Sequence, residues 1–77
     1  MLSGKRFRLD RDTLSIEVVD GKRRAVTVPM GSVIKIASGP TNDDGLVKAV
    51  WESRTVEMFA IDVNMRGTEI KDRGVTA

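Results

Sequence analysis

The chain has no cysteine, no histidine and no tyrosine in 77 residues, and its aromatic side chains are Phe7, Trp51 and Phe59 alone. Without cysteine there is no disulfide staple. Without cysteine or histidine, a structural zinc site would have to be made of carboxylates, against the usual chemistry of such sites. A thiol nucleophile and a Ser-His-Asp arrangement are both excluded. No imidazole titrates near neutral pH. No apolar run approaches the roughly 20 residues that span a bilayer. Met1 to Arg8 carries basic groups with no apolar stretch behind them, so no signal peptide is expected and the cytoplasm is the default location.

What remains is a short, charged chain. It holds 13 Lys and Arg against 11 Asp and Glu, a formal net charge of +2. A chain of this length forms a single domain, residues 1–77, with 1–5 and 72–77 expected to fray. One small core gives marginal stability, so good packing or oligomerisation has to supply the rest.

The hydrophobic pattern has period two, with turn residues every 8 to 12 positions. That predicts an all-β fold of short strands. Phe7 and Leu9 alternate with Arg8. Thr13 to Val19 sets Leu14, Ile16 and Val18 on one side and Thr13, Ser15 and Glu17 on the other. Asp20-Gly21 marks a hairpin. A two-residue turn there pairs Ile16 with Ala25. A turn one residue longer pairs Ile16 with Val26 and Leu14 with Val28, and this bulged turn is the expectation because it gathers the apolar residues on one face.

Pro29 to Ser32 ends that strand. Val33 to Ala37 follows, with Ile34 and Ile36 inward. Ser38 to Gly45 reads as a loop. A second hairpin is expected around Glu52-Ser53-Arg54-Thr55, with Trp51 facing Val56, Ala49 facing Met58 and Val47 facing Ala60 in the core. Ala60 to Arg66 reads as one helical or 3₁₀ turn, stopped by Gly67 in a left-handed capping role. Thr68 to Lys71 closes the pattern as a last short strand.

Five to six short antiparallel strands, with one helical turn before the last, would expose a whole face if laid flat. A curled sheet avoids this. The order of strand, hairpin, GSVIKIASG, loop, LVKAVWESRTVEMFA, helical turn and strand resembles an SH3-like small β-barrel over residues 13–71. The resemblance is one of fold, and such folds host many functions. Peptide-binding SH3 domains use an aromatic-lined groove, which three aromatics with Trp51 in the core do not provide. The plasmid-borne type II dihydrofolate reductases are similar in length and fold, and their pore strand reads Val-Gln-Ile-Tyr. Here the comparable stretch is Val56-Glu57-Met58-Phe59, which argues against that activity.

Four sets of residues are candidates for function. Leu46, Val50, Phe59 and Ile61, with Val33, form an outward apolar set, and contiguous apolar surface marks interaction sites. Burying two such side chains is worth on the order of 3–6 kcal/mol, comparable to the whole stability of a small domain. Lys5, Arg6, Arg8, Arg11, Lys22, Arg23 and Arg24 would form one nucleic-acid-binding patch if the Asp20 hairpin tip lay beside the N-terminal strand. Asn42-Asp43-Asp44-Gly45 could hold a hard cation, but its composition suits any turn, so no metal is expected. Glu57 with Glu52 and Lys48 could form a catalytic group, but a cross-strand ion pair accounts for Glu57 and Lys48. The expectation is a non-enzymatic module without cofactors, self-associating or protein-binding. Nucleic-acid backbone binding is the alternative, and no membrane partner is expected.

Overall fold

The computed structural model describes residues 3–40 and 45–71. The expected cation loop at Asn42-Asp43-Asp44 and the tail 72–77 lie outside the described residues. Among the described residues, seven strands and one short helix follow in the order β1 (Arg6–Leu9), β2 (Thr13–Val19), β3 (Lys22–Val28), β4 (Val33–Ser38), β5 (Leu46–Trp51), β6 (Arg54–Phe59), α1 (Ala60–Arg66) and β7 (Gly67–Ile70). They form one antiparallel sheet in the order β3-β2-β6-β5-β4-β1-β7. The described chain is therefore mostly β with one short helix before its last strand, as its pattern predicts, the helix running to seven residues rather than a single turn. The sheet has seven strands rather than five or six, and it ends at β3 and β7 instead of closing.

The core follows the alternation in most strands. Phe7 and Leu9 of β1, Ile34 and Ile36 of β4, Val47, Ala49 and Trp51 of β5, and Val56 and Met58 of β6 are all buried, and Val63 of α1 joins them. Lys35 points outward, as expected. The last strand lies beside the first, pairing Phe7 with Glu69 and Leu9 with Gly67. Residues 4 and 5, expected in a frayed end, are tied down. The Gly4 N–H donates to the Ile36 carbonyl, and the Ile36 N–H donates to that of Lys5.

Both hairpins differ from the expected registers. In the first, Ile16 pairs with Ala25 and Ser15 with Val26, so the turn is the two-residue Asp20-Gly21. Both turn residues have positive φ, 53° and 77°. That is the geometry of a type I′ turn, whose twist matches the flanking strands. Turn geometry decides over apolar pairing, and the one-residue difference turns β2 over. Thr13, Ser15 and Glu17 face the core, and Leu14, Ile16 and Val18 face outward. The inward hydroxyls are satisfied. Thr13 Oγ1 donates to the Arg11 carbonyl and Ser15 Oγ to that of Val26, at 2.9 and 2.8 Å.

The second hairpin also turns in two residues, Glu52 and Ser53, at φ of 50° and 65°. It pairs Trp51 with Arg54, Ala49 with Val56 and Val47 with Met58. This is a slip of two from the expected register, so the side chains within β5 and β6 keep their expected faces, while Ala60 and Ile61, expected to continue the second strand, belong to α1. Gly67 ends the helix, but not as a left-handed cap, since its φ is −116°. Glycine is required there for space. A Cβ would lie 2.7 Å from the Val63 carbonyl oxygen and 3.4 Å from the Phe7 Cβ.

Candidate interaction surface

Alternation and register define the outer face of the sheet row by row. β5 and β6 place Leu46 opposite Phe59, Lys48 opposite Glu57 and Val50 opposite Thr55. β2 joins β6 with Ile16 opposite Glu57. The same register sets Leu14 beside Phe59 and Val18 beside Thr55. Three of the four expected interface residues, Leu46, Val50 and Phe59, thus share a face with three residues expected to pair inward, Leu14, Ile16 and Val18. Leu14 is 52% exposed, Val18 53% and Phe59 40%. Ile61 is exposed on α1, just beyond the end of β6. Val33 is exposed on the outer face of β4. A shallow hollow of about 290 Å³, lined by Ile16, Val18, Lys48, Thr55 and Glu57, opens at the centre of the apolar half.

The seven expected basic residues do not come together. Lys22, Arg23 and Arg24 lie on β3 at one end of the sheet, and four strands separate them from Arg6 and Arg8 on β1. Arg23 donates to Glu57 at 3.0 Å, and Arg24 reaches Glu17 at 3.4 Å. Arg11 lines a separate cleft with Asp62, Met65 and Arg66. Glu57 is therefore engaged by Arg23, reaching across β2, and no Lys48–Glu57 ion pair is found among the described residues. Glu52 stands in the turn, and no ion pair of its own is found among the described residues.

A different polar cluster holds the inner face together. Arg54 clasps the largely buried Glu17 carboxylate with two bonds, Nε to Oε2 at 2.9 Å and Nη2 to Oε1 at 2.7 Å. Its guanidinium lies 5.2 Å from the centre of the Trp51 ring, within cation–π range. The hydrogen bond from Arg54 holds the Glu17 carboxyl below the usual glutamate range, against the opposing pull of desolvation. The same bond raises the Arg54 pKa. Arginine suits this position because its planar fork matches a carboxylate bidentately while its face stacks on an aromatic ring. The cluster ties the first hairpin to the second, so the overturned β2 is anchored by charge on its inner side.

Among the described residues there is no group of three metal-ligating side chains, and no helix is long and apolar enough to cross a membrane. No protein-family model, curated protein or solved structure matches the chain. The sequence signal for the outward apolar residues of β2 was the Asp20-Gly21 dipeptide. Taken at its preferred two-residue length, it turns Leu14, Ile16 and Val18 to the outer face.

Proposed function

We propose that the chain is a non-enzymatic interaction module that associates with a second copy of itself through the β2–β6–β5 half of its outer face. The same face would serve another protein partner. One observation carries the reading: β2 buries Thr13, Ser15 and Glu17 and turns Leu14, Ile16 and Val18 outward, with Leu14 and Val18 exposed and Ile16 half-buried between them. The opposite arrangement would bury more apolar surface. An overturned strand makes sense where the outward face is covered in the working state. The centre of this half, Lys48 beside Glu57, carries both signs of charge. A twofold interface requires a surface that complements itself, and such a centre can. For the architecture, we read an SH3-like arrangement that is open at one side. Its support is the order of strand, long hairpin, three-stranded meander, helical turn and last strand beside the first.

The test is light scattering at micromolar concentrations on the wild type and on Phe59→Asp. A dimer or larger is expected for the wild type, and a monomer with unchanged circular dichroism for the variant. A strict monomer indifferent to Phe59→Asp would contradict the reading.

A further inference from the structure

The other half of the outer face, on β4, β1 and β7, has a different character. Register places Arg6 directly opposite Lys35 on one side and Ile70 on the other. Arg8 follows along β1, on the same face, opposite Val33. Like charges set directly opposite one another across a sheet are destabilising. Arg6, Arg8 and Lys35 have no ion-pair partner among the described residues. The nearby Glu69 is drawn toward Lys5, at 3.9 Å. At the outward positions of the described strands five cations, Arg6, Arg8, Arg23, Lys35 and Lys48, stand against one carboxylate, Glu57, which is held by Arg23, while Asp10, just beyond β1, accepts from the Thr68 hydroxyl opposite Arg8. A hollow of about 320 Å³ opens among Gly4, Lys5, Arg6, Lys35, Glu69 and Lys71, with Ile70 beside it. Its rim is fixed by the main-chain bonds of Gly4 and Lys5 to Ile36.

We propose that this stripe, Lys35–Arg6–Arg8 with Lys5 and Lys71 at its mouth, binds nucleic-acid backbone without reading base sequence. The charge arrangement identifies the ligand class. Arg6 and Arg8 point the same way about 7 Å apart, two strand residues on, and a chain with one phosphate per nucleotide can run along them. Arg and Lys neutralise phosphates and release their counterions, which requires no base contact. Aromatic side chains, on which bases would stack, are absent from the outward positions of these three strands. A polypeptide ligand would need apolar anchors. This half offers few, while the β2–β6–β5 half is rich in them. The two halves therefore have separate ligands.

Fluorescence anisotropy tests this with the full chain and a labelled random-sequence 20-nucleotide DNA. Three phosphate contacts give a salt slope of about −2 on a single strand, so affinity should fall about 20-fold from 50 to 200 mM salt. Arg6→Gln/Lys35→Gln should weaken binding about tenfold or more at low salt and flatten the slope by about 1.4. Arg23→Gln/Arg24→Gln makes the same change in net charge at the hairpin tip and should stay within about threefold of wild type. The stripe variant should also melt at or above the wild-type temperature, because it removes an opposed pair of like charges. Three results would overturn the proposal: no binding at low salt, equal weakening by both double variants, or competition by poly-glutamate as effective as by unlabelled DNA. The last would make an acidic polypeptide the ligand.

Discussion

Glu17 sits on the core side of a strand, and a carboxylate there is tolerated because Arg54 meets both of its oxygens. Its folded pKa is below the ordinary value, chiefly through that bond. The stability it contributes is therefore fully present above about pH 4.3 and is lost as pH falls through the lower folded value. Thermal melts from pH 7 to pH 2.5 should show the wild type losing stability on the acid side more steeply than Glu17→Gln. Parallel curves would mean that the clasp contributes nothing to folding. Arg54→Lys keeps the charge and loses the fork, so it should melt below the wild type. At Gly67 the constraint is space. A methyl group there meets the Val63 carbonyl oxygen at 2.7 Å, and Gly67→Ala should cost about 1–3 kcal/mol in urea unfolding. Neither residue role was legible in the chain. Glycine after a helix reads as a left-handed cap, and only the path of β1 past α1 shows that Phe7 crowds it.

The hairpins show how much of each element the chain discloses. Both were recognisable from alternating runs flanking a turn, and both were expected with loops longer than they have. In the second, the error was two residues at the Glu52-Ser53 turn, and the core of Val47, Ala49, Trp51, Val56 and Met58 came out on the expected side. In the first, the error was one residue at Asp20-Gly21, and β2 came out inverted. A strand with period two forgives an even slip and reverses on an odd one. The Glu52-Ser53 turn also holds two non-glycine residues at positive φ, which costs free energy for ordinary side chains. Replacing the pair by Asn-Gly should raise the urea midpoint, by about 1 kcal/mol in stability. Conversely, Gly21→Val should lower it, since a β-branched residue tolerates positive φ poorly.

At the scale of the whole molecule, the sheet has a core face and an outer face, and the outer face divides into an apolar half and a basic half. Half of the apolar surface was visible in the chain, as Leu46, Val50 and Phe59. The other half depended on the orientation of β2. The basic half was partly visible as Lys5, Arg6 and Arg8, whereas Lys35 came to it only through the pairing of β4 with β1. Lys22, Arg23, Arg24 and Arg11 looked equivalent in sequence and were carried elsewhere by the sheet order. Topology thus sorted one run of basic residues into a stripe in which Arg6 and Arg8 have no ion-pair partner among the described residues and a set that, at Arg23 and Arg24, neutralises Glu57 and Glu17. The central claim is that the outward side of β2 is an interface. Sedimentation velocity over a hundredfold concentration range, on the wild type and on Val18→Asp, tests it most directly. Val18 lies on the outer face and is exposed, so the variant should fold. The account predicts a sedimentation coefficient that rises with concentration for the wild type and stays at the monomer value for Val18→Asp. Superimposable monomer profiles for the two proteins would contradict it.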